Sequence, residues 1–164
     1  MVTRTLFRQH DWTYWNIRTS RSSSASKFSI QIKGPFKNSL QKKNNIIEKT
    51  FINFSKFLKI KNNYKIHLNK KIPVSAGLGG GSADSAAVLH ALNKLNKKKI
   101  SKKDLFKIAG NIGADVPACL YNKNVFLSGY GQVLSKAPKI PKFFVLLINP
   151  CKELSTKKVF NSYK

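Results

Sequence analysis

The stretch from Lys71 to Leu89, Lys-Ile-Pro-Val-Ser-Ala-Gly-Leu-Gly-Gly-Gly-Ser-Ala-Asp-Ser-Ala-Ala-Val-Leu, constrains the fold more than any other part of the chain. Four of the nine glycines, Gly77, Gly79, Gly80 and Gly81, fall within it and run directly into an alanine-rich helical pattern. Glycine reaches positive φ and lets a ligand approach the backbone closely. A tight turn alone needs one or two glycines, not four. Residues from Ser82 to Leu95 are good helix formers, so the loop opens a helix whose first N–H groups carry a partial positive charge. Phosphate is the usual guest of such an end, and Ser75, Ser82 and Ser85 add hydroxyls nearby. Two common phosphate fingerprints are excluded. No Gly-Lys-Ser/Thr follows the loop, and Ser82 stands where the dinucleotide pattern requires a third glycine.

Around this loop the sequence lays out an α+β order. Phe28, Ile30 and Ile32 alternate with polar residues as a half-buried strand that stops at Gly34-Pro35. A helix opens at Asn45 with Glu48 three residues on, and Ile47, Phe51, Phe54 and Leu58 form its apolar face. Tyr64, Ile66 and Leu68 alternate as a second strand leading into the loop, after which Ser85, Leu89, Leu92 and Leu95 share a stripe on the next helix. Ser101 and Asp104 start a further helix through Leu105, Ile108 and Ala109, closed by Gly110. Strands follow at Val125–Leu127 and Phe143–Ile148, the second apolar enough to be central and buried on both faces. A short last helix is expected after Ser155 or Thr156. Residues 1–26 show no sustained apolar period and end in Arg-Ser-Ser-Ser-Ala-Ser, which reads as linker or disorder.

Net charge is +25, and its distribution qualifies what it means. The arginines and both tryptophans lie within the first 21 residues, whereas the lysines begin at Lys27. Two compositional regimes meet near residue 26, so residues 1–26 are expected to be foreign to the domain that follows. A background rich in Lys, Asn and Ile arises from A/T-biased coding on any fold, so this charge by itself is a weak pointer to nucleic acid. No apolar run reaches the ~18 to 20 residues that span a bilayer, and no export signal is visible. A cytoplasmic protein outside the membrane is expected, with Cys119 and Cys151 as core thiols. His67 and His90 lack partners at ligand spacing, so no protein-held metal is expected.

Six acids allow individual assignment. Glu48 and Asp104 sit in capping positions, and Asp84 reads as outward-facing or magnesium-linked. Asp115, in Gly113-Ala-Asp-Val-Pro117, lies at a bend between a helix and an apolar stretch. It either caps the next helix or presents a semi-buried carboxylate for chemistry.

Pro73-Val-Ser-Ala-Gly-Leu-Gly-Gly-Gly-Ser-Ala83 resembles the ATP loop of the GHMP kinases. Together with Gly113-Ala-Asp-Val-Pro117 and Ser155-Thr-Lys-Lys-Val-Phe160, it is similar to the branch that phosphorylates 4-(cytidine 5′-diphospho)-2-C-methyl-D-erythritol. The resemblance covers about residues 27–164. It implies a two-layer sheet-and-helix domain of the GHMP kinase N-terminal type, which is ribosomal protein S5 domain 2-like, with a mostly antiparallel sheet and helices on one side. It implies ATP binding through Pro73, Val74, Ser75, Ala76, Gly77, Leu78, Gly79, Gly80, Gly81, Ser82 and Ala83, and Asp115 as catalytic base toward the 2-hydroxyl of the substrate. Ser155 and Thr156 would approach the methylerythritol end, and Mg²⁺ is implied by the reaction class. The family's N-terminal strand with a catalytic Lys, its Asp-Gly-Tyr-His segment and its second domain have no counterpart here, so a truncated kinase is expected. The alternatives are another GHMP small-molecule kinase and a basic nucleic-acid-binding module on an S5-like fold.

Overall fold

A computed structural model describes residues 3–9, 13–20, 28–41, 43–58, 60, 63–129, 131, 133–139, 141, 144, 146, 148, 161 and 162, the first two segments for their backbone only. The elements are β1 (Thr3–Gln9), β2 (Thr13–Ser20), β3 (Phe28–Lys33), α1 (Ile46–Phe57), β4 (Asn63–Lys70), α2 (Gly80–Leu95), α3 (Lys102–Ile112), α4 (Val116–Tyr121), β5 (Val125–Ser128) and β6 (Val133–Lys136). The main sheet has the order β1-β2-β4-β3. β1 and β2 pair antiparallel, as do β2 and β4, while β3 lies parallel to β4. β5 and β6 form a separate antiparallel hairpin. Mixed helix and sheet in two layers is the α+β architecture expected.

Period-two alternation makes the inner face of the sheet apolar. Tyr64, Ile66 and Leu68 of β4 are buried, and Phe28, Ile30 and Ile32 of β3 pack beside them. α1 covers this face with Ile47, Phe51 and Phe54, and the Phe28 and Phe51 rings stack at 4.8 Å. α2 is buried over much of its circumference, through Ala86, Val88, Leu89, Ala91 and Leu92, because α1, α3 and α4 all pack against it. Each large side chain so covered contributes about 1.5–3 kcal/mol of transfer free energy.

Local chemistry sets where α1 and α3 begin. Asn45 Oδ1 accepts from the N–H groups of Ile47 (2.9 Å) and Glu48 (3.0 Å), while Glu48 reaches back to the N–H of Asn44. Ser101 Oγ accepts from Asp104 N–H at 3.1 Å and donates to the Asp104 carboxylate at 2.7 Å. These are the two capping arrangements read from the sequence.

Other expectations need correction. Residues 3–9 and 13–20, expected to lack regular structure, form β1 and β2, which pair with each other, and β2 joins the sheet by pairing with β4. Gly110 does not close α3, which runs on to bury Ile112 and ends at Gly113. Of the run 143–148, expected to be a central strand buried on both faces, the described residues Phe144, Leu146 and Ile148 lie in no strand and are 106%, 84% and 80% exposed. The helix expected after Ser155 or Thr156 starts outside the described residues.

Candidate functional site

The glycine loop joins the C-terminal end of β4 to the start of α2. Ser75, Gly77 and Gly79 have φ of 58°, 70° and 63°. Left-handed residues recurring along a short segment curl the backbone so that successive N–H groups converge, the geometry of an anion nest. Glycine suits two of the three positions because a side chain there would be strained. A methyl group at Gly77 or Gly79 would meet no atom within 4 Å, so the loop also has open space on that side.

α2 begins without a cap. Gly79 occupies its N-cap position and offers no side chain, and the first intrahelical bond runs from Ala83 N–H to the Gly79 carbonyl at 2.9 Å. No described residue accepts from the N–H groups of Gly80, Gly81 or Ser82. Three donors and the helix dipole therefore face the hollow of the loop. In α1 two of the corresponding donors are taken by Asn45, and in α3 one is taken by Ser101.

Beneath the loop lies a buried ion pair. Lys70 Nζ stands 2.8 Å from Asp84 Oδ2, and each side chain is 4% exposed. Burial pushes the Asp84 carboxyl above its ordinary range, and Lys70 pulls it part of the way back. Asp84 is thus not outward-facing: its side chain is buried, with Oδ2 engaged by Lys70. The signal for Lys70 was present in the sequence. It continues the inward parity of Tyr64, Ile66 and Leu68, and a lysine at an inward strand position must find a partner.

Asp115 lies at the α3–α4 junction, at the N-cap position of α4. Its backbone is helical (φ −85°, ψ −13°) rather than extended, and Pro117 removes one of the N–H groups that a cap would engage. Its carboxylate makes no capping bond and is exposed, rather than semi-buried as expected. The junction itself is held from two sides. Lys49 Nζ of α1 donates to the Ile112 carbonyl at 2.7 Å. Gly131, at φ +90° in the β5–β6 turn, passes so close to Ala114 that any Cβ would collide with its carbonyl. Gly131 is the second residue that sequence reasoning missed.

α4 lies along α2, where the His90 Nε2–H donates to the Leu120 carbonyl at 3.2 Å. Cys119, one turn after Asp115, connects the two acids. Burial raises its thiol pKa first, and the charges of Asp115 and Asp84 add to the rise. Asp115 lies at the start of α4, which packs against α2, and the Pro73–Ala83 loop leads into α2; Ser155 and Thr156 lie outside the described residues. Among the described residues no three His, Cys, Asp or Glu side chains group as metal ligands, and no helix is long and apolar enough to cross a membrane.

A glycine nest on an uncapped helix, backed by an α+β sheet, defines a class. Residues 45–123 match the model of the GHMP kinases N terminal domain. Among curated proteins, the 4-diphosphocytidyl-2-C-methyl-D-erythritol kinase of Paramagnetospirillum magneticum is 35% identical over 144 residues, 88% of this chain and 50% of that protein. A solved 4-(cytidine 5′-diphospho)-2C-methyl-D-erythritol kinase superposes with a TM-score of 0.62 at 27% identity, covering 93% of this chain and 55% of its own. The homoserine kinase of Cytophaga hutchinsonii shares the fold, with a TM-score of 0.69 at 23% identity over 98% of this chain and 53% of its own. The chain spans about half, or less, of the length of the curated relatives it matches.

Proposed function

We propose that this chain carries the nucleotide-binding half of an ATP-dependent small-molecule kinase, whose acceptor is the 2-hydroxyl of 4-(cytidine 5′-diphospho)-2-C-methyl-D-erythritol. The carrying observation is the uncapped start of α2, where three unpaired N–H groups face a loop of left-handed residues. The names of the relatives supply the acceptor. In this reading the loop from Pro73 to Ala83 cradles the phosphates of ATP, as other helix N-termini hold anions. Asp115, exposed and unengaged among the described residues, takes the proton of the attacking hydroxyl. Ser155 and Thr156 approach the methylerythritol end of the acceptor. The partners are small molecules rather than membrane or nucleic acid, and the setting is cytoplasmic.

Magnesium would reach such a site on the nucleotide. It commonly binds substrate phosphates with one or two carboxylates. When bound, it would neutralise phosphate charge, while the chain's own donors at Gly80, Gly81 and Ser82 orient the phosphates.

The test combines the purified chain with ATP and the acceptor, alone and with the C-terminal half of the P. magneticum relative supplied in trans. ATP should bind to the chain alone, and transfer should be slow until the second half is added. Asp115→Asn should keep ATP affinity and lower transfer by about 10²- to 10⁴-fold. Absence of ATP binding, or equal transfer by the Asn variant, would overturn the reading.

A further inference from the structure

We propose that Lys70 and Asp84 form a charge-oriented clamp, in which Asp84 is a positioning residue that holds the Lys70 ammonium against the first turn of α2 and so strengthens polyphosphate binding there. This rests on the reading that the loop holds ATP and adds a role for two residues beneath it.

The orientation of the pair carries the inference. Asp84 is the fifth residue of α2, about 6 Å along the axis from Gly80 at 1.5 Å per residue. An isolated carboxylate there would oppose the positive end of the helix. The ammonium, however, lies on the loop side. A methyl group on Gly80 would stand 3.4 Å from Lys70 Nζ, whereas no Asp84 side-chain atom comes within 4 Å of that point. The pair is therefore a dipole with its positive pole toward the phosphate hollow. Both ends are fixed: the Lys70 carbonyl accepts from Phe36 N–H at 3.3 Å, and Asp84 sits within the buried face of α2.

Stability gives this pair little reason to exist. Desolvating two charges commonly costs as much as their attraction returns, and an apolar pair of similar volume packs as well or better. Among the described residues it is the ion pair whose partners are both buried. Its position under three unpaired donors accounts for it. The buried environment also keeps its field from being screened as surface lysines are.

The test measures ATP and adenosine affinity of the full chain by calorimetry, comparing wild type with Lys70→Met, Lys70→Arg, Asp84→Asn and the double variant Lys70→Met/Asp84→Asn. Lys70→Met leaves a carboxylate near the phosphates and should weaken ATP binding on the order of tenfold. Lys70→Arg should restore most of that loss. The neutral double variant should bind ATP more tightly than Lys70→Met, because the opposing charge has gone. Asp84→Asn should weaken ATP binding far less than Lys70→Met does. Adenosine affinity should stay constant throughout. Equal losses in Lys70→Met, Asp84→Asn and the double variant would overturn the clamp while leaving ATP binding at the loop intact. A wild-type chain that ignores ATP would overturn the functional reading, and the clamp with it. Should Lys70→Met fail to fold, Asp84→Asn decides: a modest loss of ATP affinity with adenosine affinity unchanged supports the clamp, and no loss at all, or an equal loss for adenosine, contradicts it.

Discussion

Asp115 has a free carboxylate because its surroundings deny it structural work. Its helical φ and ψ turn the side chain away from the α4 donors, and Pro117 lacks one of those donors. Asp115→Asn should therefore leave thermal stability within about 0.5 kcal/mol of wild type, as for a surface change with no partner. A large drop in melting temperature would reveal a structural role instead. Cys119 reports on the same spot. Its thiol is held above the ordinary 9.0 by burial, then by Asp115, then by Asp84. In a Cys151→Ser background at pH 8, iodoacetamide should label it slowly, and Asp115→Asn should speed that labelling. No acceleration would separate the acid from the thiol. The linkage has a defined sign. The unfolded thiol ionises near 9.0 while the folded one still holds its proton, so this group's contribution to stability is complete below pH 9.0 and falls as pH rises past it.

Among the helices, those with local start signals were the legible ones. Asn45 with Glu48 and Ser101 with Asp104 carry their caps within four residues, so sequence alone places them. Asn45→Ala and Ser101→Ala should each cost about 1 kcal/mol in chemical denaturation, and an unchanged midpoint for either would contradict the cap. The glycine loop was legible for the same reason. Elements fixed by distant partners were not. β2 pairs with β4, roughly fifty residues away in sequence, β1 joins the sheet only through β2, and no sustained apolar period announces either. Gly131 matters only because Ala114 passes beside it, a contact that spacing cannot foretell. Gly110 misled because a glycine ends a helix only when it turns left-handed or when burial stops, and Ile112 is still buried beyond it. Lys70 was legible in principle through strand parity. Its partner Asp84 was visible too, but only folding brings the two together.

At the scale of the whole molecule, the domain leaves apolar surface uncovered. Phe126, Leu127 and Val133 of the β5–β6 hairpin are exposed, as are Phe144, Leu146 and Ile148. An apolar run predicts burial only where another layer exists to cover it, and none covers Phe144, Leu146 and Ile148 among the described residues. The triple variant Phe144→Ser/Leu146→Ser/Ile148→Ser should reduce self-association of the purified chain in light scattering without lowering its melting temperature. A loss of stability would mean that these side chains pack after all. Charge acts at the same scale, since a net +25 attracts any polyanion to the surface and can imitate binding at a site.

That ambiguity decides how the central claim is best tested, by ATP titration of the isotopically labelled chain at 0.3 M salt, a concentration set to screen surface lysines. ATP should shift the backbone amides of Gly77, Gly79, Gly80, Gly81 and Ser82 with a single saturating affinity, while the capped starts of α1 and α3 stay unmoved. Shifts spread over the lysine-rich surface and abolished by salt, with the loop amides silent, would contradict it.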